Sequence, residues 1–182
     1  MRYIRNTHHR WGWLTIVMHW LTAITVVGMF FFGLWMVDLS YYHEWYKTAP
    51  ALHKSIGITL LFLTLLRLVW RSINPTPAPL DSHSPFERQA ARLAHTLLYV
   101  LLFCMMLSGY LISTADGRAI EVFKLFEIPA IIHGIEHQED IAGDIHLVLA
   151  IMLIGLALVH AGAAMKHHLI DKDSTLKRMF GR

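Results

Sequence analysis

The chain has a single cysteine, Cys104, in 182 residues. That excludes an intramolecular disulfide and any zinc or iron–sulfur site built on cysteine. Charge is scarce too. Asp, Glu, Lys and Arg make up 16% of the residues, against about 25% in an ordinary soluble domain. With 55% hydrophobic residues, the chain is too apolar for a disordered segment and too poor in charge for a well-solvated globule. What is abundant is aromatic bulk (six Trp, nine Phe, six Tyr) and, unusually for so apolar a chain, thirteen histidines.

The scarce charges are also unevenly placed. Trp11 to Val37 has no Asp, Glu, Lys or Arg, and its one ionisable side chain is His19. Leu93 to Ala115 lacks those four types, with His95 near its start, and so does Ile145 to Met165, which holds His146 and His160. Each run is long enough to cross the hydrocarbon layer, which takes about 20 residues. A fourth span, Ala51 to Trp70, is apolar in its middle and carries His53 and Lys54 at one end and Arg67 at the other. Charges at span ends can snorkel to the headgroups. The first run is too long for a signal-peptide core and is followed by no small-residue cleavage pattern, so it is expected to be retained. The expected fold is all-α: one domain, residues 1–182, an integral-membrane antiparallel four-helix bundle. Its helices are placed near 11–37, 51–71, 86–115 and 141–167, with a loop over 116–140.

Orientation follows from the basic residues. Arg2, Arg5, Arg10, Arg67, Arg71, Arg88, Arg92, Lys166, Lys172, Lys177, Arg178 and Arg182 fall on one side of such a bundle, and only Lys47, Lys54, Arg118 and Lys124 on the other. The positive-inside rule then places both termini in the cytoplasm. The third connection is acidic, with Asp116, Glu121, Glu127, Glu136, Glu139, Asp140 and Asp144. The net charge of +3 is therefore a topology signal, and no nucleic-acid partner is expected.

The connections carry local signals. Asn74-Pro-Thr-Pro-Ala-Pro79 cannot be helical. Ser84-Pro85 followed by Glu87 is a capping-box pattern, so the third helix is expected to begin near Pro85. Gly117 marks the turn after the third span, and Ile120 to Phe126 is read as a short surface helix.

Eight histidines lie in tails or loops: His8, His9, His43, His83, His133, His137, His167 and His168. His133 and His137, four apart among acids, read as solvated surface. His19, His53, His95, His146 and His160 lie in spans, where an ionisable group is a functional hypothesis by default. With almost no carboxylates beside them they read as neutral imidazoles, hence as metal or haem ligands. Fourteen residues separate His146 from His160, about 21 Å along a helix and about 40° short of four full turns. One metal cannot reach both, so two sites are expected. Pairing by depth gives His53 with His146 on the outer side, and His160 with His19 or His95 on the inner side. Two axial imidazoles from facing helices make a six-coordinate b-type haem, whose natural work is electron transfer. Gly28, Gly33, Gly57, Gly155 and Gly162 would leave room for porphyrin or for close helix packing. There is no Cys-x-x-Cys-His, so covalent attachment is excluded.

Several stretches together resemble the bacterial cytochrome b561 family of four-helix di-haem membrane proteins. They are Met18-His19-Trp20-Leu21, Leu52-His53-Lys54-Ser55-Ile56-Gly57, Ala94-His95 with Leu98-Tyr99, Ser108-Gly109-Tyr110, His160-Ala-Gly-Ala-Ala-Met-Lys-His-His168, and the tail Asp171, Asp173, Leu176, Arg178, Met179. The resemblance covers nearly the whole chain. It implies two haem b groups, with His19 and His160 ligating the inner iron and His53 and His146 the outer. It implies a multi-pass protein of the bacterial inner membrane that passes electrons between a small-molecule or protein donor and the quinone pool. One branch is similar to superoxide oxidase, an oxidoreductase that passes an electron from superoxide to ubiquinone. Quinone reduction needs titratable groups near the carbonyl oxygens, and Lys166, His167 and His95 are the candidates, with Arg71 and Trp13 as wall residues. Lys54 beside His53 would attract an anionic donor, whereas the acids of the third connection would oppose one unless they point away. Two other readings are a haem-bearing anchor for a partner dehydrogenase and a transporter that uses the histidines for ions.

Overall fold

The computed structural model describes residues 4–80 and 82–181. Arg2 and Arg182, counted in the charge argument, lie outside the described residues. Four long helices dominate: α1 (Trp13–Val37), α2 (Thr48–Ile73), α3 (Pro85–Thr114) and α4 (Gln138–Leu169). A two-stranded hairpin, β1 (Ile120–Val122) and β2 (Phe126–Ile128), lies between α3 and α4, and a single turn, α5 (Thr175–Arg178), follows α4. The four helices have 25, 26, 30 and 32 residues, each longer than the roughly 30 Å hydrocarbon thickness at 1.5 Å per residue. Large apolar side chains such as Phe31, Leu66, Leu158 and Val159 are exposed. In water that surface would drive aggregation; lipid is the solvent that covers it. The architecture is an all-α membrane helical bundle with four helices long and apolar enough to span.

Contacts within the chain gather into two units. One holds residues 4–24, 63–80, 82–99 and 155–181; the other holds Thr25–Phe62 and Val100–Ile154. Each long helix contributes a stretch to each unit.

In the first unit, side chains lock the chain ends onto the helix starts. Asn6 Oδ1 accepts from the Gly12 N–H at 2.8 Å and from the Thr15 hydroxyl at 2.7 Å, while its amide donates to the Pro75 carbonyl. A Cβ on Gly12 would lie 2.2 Å from the Ile4 carbonyl oxygen, so only glycine fits there. Trp20 donates its indole N–H to the Met179 carbonyl at 2.8 Å and stacks on Phe180. The proline-rich link after α2 is irregular, as expected. α3 starts at Pro85 with the expected capping box: Glu87 N–H donates to Ser84 Oγ at 3.2 Å, and Ser84 N–H donates to the Glu87 carboxylate at 2.9 Å.

In the second unit, Ile120 and Val122 pack on Ile58, with Tyr110 and Ile128 beside them. The expected surface helix over Ile120 to Phe126 is not formed; these residues make the hairpin. Its register pairs Ile120 with Ile128 and Val122 with Phe126. The alternation of β1, buried–exposed–buried, suits a strand of β-branched residues. Its turn holds Phe123 and Lys124 at φ 48° and 61°, closed by Leu125 N–H to the Val122 carbonyl. Gly117 turns the chain after α3 at φ 82°. α4 begins at Gln138, a few residues before the expected 141, because Glu139 and Asp140 complement the positive end of the helix while Lys166, His167 and His168 lie in its last turn.

Candidate functional site

Two groups of span histidines form, one within each unit. In the second unit, His53 of α2 and His146 of α4 face one another with ring centroids 6.3 Å apart and planes at 68°. An imidazole nitrogen bonds a first-row metal at about 2.0 Å, and its centroid lies about 1.1 Å further on, so two trans axial rings stand roughly 6.2 Å apart. The observed spacing fits one metal between them. His146 Nδ1 lies 3.1 Å from the Met105 carbonyl and 3.0 Å from Ser108 Oγ, and Ser108 itself donates to Met105. A carbonyl only accepts, so Nδ1 carries the proton and Nε2 keeps its lone pair, the arrangement a ligating imidazole needs. His53 Nδ1 is buried without a hydrogen bond, and its ring stacks on Phe32.

Small residues make this space. A Cβ on Gly33 would lie 3.3 Å from His53 Cε1, and one on Gly109 would lie 3.1 Å from His146 Cε1. Around the pair is a cavity of about 990 Å³, at the upper end of the roughly 300–1,000 Å³ usual for cofactor pockets. Its walls include Leu102, Met105, Leu153 and Ile154, and its rim carries Lys54, Asp116, Arg118, Glu139, Asp140 and Asp144. Four of the seven acids of the third connection therefore border the cavity. Arg118 bonds Asp116; that pairing holds the Asp116 carboxyl below its usual range and raises the Arg118 guanidinium.

In the first unit, the rings of His95 (α3) and His160 (α4) are 5.1 Å apart at 67°. His19 (α1) has its Nδ1 2.9 Å from the Arg67 guanidinium. A guanidinium only donates, so this nitrogen accepts and the neutral ring holds its proton on Nε2. Arg67 and Arg71 both lie over the Tyr99 ring, at 5.5 and 5.7 Å. The structure thus brings His160 to His95 and gives His19 an arginine partner. Lys166 is held between Glu87 and Asp171, at 2.9 and 2.8 Å, and His167 lies against Asp171 and Asp173. Trp13 is exposed. His133 and His137 are exposed.

Sequence reasoning missed several of these positions. Arg67, read as a snorkelling end charge, turns to His19. Gly109 and Ser108 had no role assigned, although both sit in a quoted stretch. Of the glycines expected to make room, Gly33 faces an imidazole, whereas Gly28, Gly155 and Gly162 have nothing within 4 Å of an added Cβ.

Residues 10–182 match the prokaryotic cytochrome b561 family. The chain belongs to that family. It is 53% identical over 177 residues to cytochrome b561 homolog 2 of Escherichia coli, covering 97% of this chain and 94% of that protein. It is 30% identical to the Yersinia pestis protein named "Probable superoxide oxidase CybB", over 94% of this chain and 96% of that one. A cytochrome b562 of Cereibacter sphaeroides is 30% identical over 91% and 92%. As a cytochrome b561 the chain is a multi-pass inner-membrane electron-transfer protein, and the family implies haem b. The residues present suit that group: a proton-fixed imidazole opposite a second one, in an apolar cavity cleared by two glycines.

Proposed function

We propose that this cytochrome b561 holds two haem b groups and carries electrons from a donor at the outer face to ubiquinone near the cytoplasmic face. The observation that carries the reading is the 6.3 Å spacing of His53 and His146 within an apolar cavity. In this reading His53 and His146 would hold the outer haem, and His19 and His160 the inner one, with both termini cytoplasmic. Haem b held there by two imidazoles would supply reversible one-electron transfer. Met105 and Ser108 keep His146 in the ligating tautomer. Gly33 and Gly109 keep side chains out of the imidazoles' way. On the inner side, Arg67 must leave His19 Nδ1 for that ring to offer Nε2. A second reading of the inner pair takes His95 in place of His19, because the His95 and His160 rings are already in contact; at 5.1 Å they would have to part by about 1 Å to admit one iron.

For quinone, two protons must reach the carbonyl oxygens. Lys166 and His167 are already engaged by carboxylates, so we assign the polar end of that site to Arg71 and whichever of His95 and His19 is not a ligand. At the outer rim, the acids outnumber Lys54 and Arg118 and favour a cationic or protein donor over superoxide. The superoxide reading rests on the Yersinia relative's name and on Lys54. Exposed apolar residues of the third connection, Leu125, Ile131 and Ile135, favour a partner protein as donor, in which case the chain is the membrane subunit of a larger dehydrogenase.

The test is a reduced-minus-oxidised visible spectrum of purified protein with a pyridine haemochrome count. Two b-type haems per chain are expected. One or none, in protein with native helix content, overturns the di-haem reading.

A further inference from the structure

Apart from the span histidines, three metal-ligating side chains from three stretches of the first unit converge. His83 comes from the link between α2 and α3, His167 from the last turn of α4, and Asp173 from the segment before α5. Their side chains are 16%, 13% and 8% exposed. Asp173 Oδ2 lies 3.0 Å from His83 Nε2 and 3.3 Å from His167 Nδ1, and the two imidazoles are 4.5 Å apart. One donor atom from each residue lies within 4.8 Å of the other two.

The cluster is held from behind. Thr175 N–H donates to Asp173 Oδ1 at 2.7 Å, which leaves Oδ2 for the imidazoles. Asp173 N–H donates to the His167 carbonyl at 3.0 Å, fixing those two residues to each other. Arg88 donates to the His83 carbonyl at 2.9 Å. Such outer bonds are what orient metal ligands. His83 Nε2 also lies 3.1 Å from the Thr175 hydroxyl.

One observation points to a cation here, and a second sets this cluster apart from its neighbour. First, His167 Nδ1 is buried and makes no hydrogen bond of good geometry, although oxygens of Asp171 and Asp173 are 2.8 and 3.3 Å away. A buried imidazole nitrogen without such a bond is costly unless something else takes its lone pair. Second, the neighbouring trio of Glu87, His167 and Asp171 already has its positive charge, because the Lys166 ammonium bonds both carboxylates. Around a tetrahedral zinc with bonds of 2.0–2.1 Å, donor atoms stand about 3.3 Å apart, near the two separations seen here.

We propose that His83, His167 and Asp173 bind one divalent first-row transition ion, zinc by the character of the ligand set, separate from any haem iron. Zinc accepts two imidazoles, one carboxylate and a water without a demanding geometry. Its place ties the proline-rich link and the C-terminal segment to the end of α4.

The probe is zinc sulfate, added to haem-loaded full-length protein that carries no polyhistidine tag and has been stripped with EDTA. One zinc per chain should remain after gel filtration, and zinc-edge X-ray absorption should show nitrogen and oxygen neighbours at about 2.0–2.1 Å. His83→Ala and Asp173→Asn should each weaken zinc binding at least about tenfold, with the haem spectrum unchanged. Asp173→Asn keeps the shape of the side chain and decides the matter if His83→Ala loses haem. Less than about one zinc per five chains at saturation would overturn the site, and so would binding that survives Asp173→Asn but is lost in His8→Ala/His9→Ala or His133→Ala/His137→Ala.

Discussion

The rings of His53 and His146 stand 6.3 Å apart, and only the second has its outer nitrogen fixed, by Met105 and Ser108. The pair is thus unequal: one imidazole is locked in tautomer and direction, while the other is positioned by stacking on Phe32. We expect His146→Ala and His53→Ala each to reduce the haemochrome count from two per chain to one, leaving the second spectral component in place. Loss of neither haem in either variant would remove the proposed pairing.

His160→Ala is expected to remove the other haem. Its partner is then found by comparing His19→Ala with His95→Ala in the same spectral assay. The one that abolishes that haem is the ligand, and the other should retain both haems while raising the KM for ubiquinone.

Glycine substitutions give a graded check on the cavity. Gly109→Ala places a methyl group 3.1 Å from His146 Cε1, and Gly33→Ala places one 3.3 Å from His53 Cε1. Overpacking of this kind costs about 1–3 kcal/mol. A lowered haem-release temperature is expected for both, more for Gly109. Gly28→Ala meets nothing within 4 Å and should be neutral or stabilise α1 by up to about 1 kcal/mol.

The rim charges predict donor preference. Neutralising Glu139 and Asp140 together should speed reduction by an anionic donor about two- to tenfold at low salt, and Lys54→Gln should slow it. Both effects should fade toward about 1 M salt. Stopped-flow reduction of the haem absorbance across ionic strengths measures this.

Local backbone gives the last pair. Ser84→Ala removes the α3 capping box and should cost about 1 kcal/mol. Lys124→Gly relieves a left-handed residue at φ 61° and should protect the hairpin by about 1 kcal/mol, seen as slower amide exchange at Leu125.

What the sequence made legible was whatever the bilayer or a backbone rule imposes. Charge-free runs mark α1, α3 and α4, the proline string ends α2, and Ser84 with Glu87 starts α3. The hairpin was not legible, because Phe123 and Lys124 occupy backbone that Asn-Gly would have signalled, and an apolar stretch as short as Ile120 to Phe126 carries no decisive period. The histidines themselves stood out as ionisable groups in apolar spans. Their neighbours did not: nothing local marks Arg67 as aimed at His19, Gly109 as facing His146, or His83 as meeting Asp173 ninety residues on. Those relations arise only when separate helices pack.

Ser55 links two things the sequence keeps far apart. Its buried hydroxyl receives the Phe123 N–H at 3.0 Å and donates to the Ala51 carbonyl, and it sits two residues after His53, about 3 Å along α2. The hairpin is thereby a handle on the helix that aims an imidazole. A pull on Phe123 or Leu125 would therefore reach α2 within one turn of that ring, so a load on the hairpin and the direction of the His53 imidazole share one mechanical linkage.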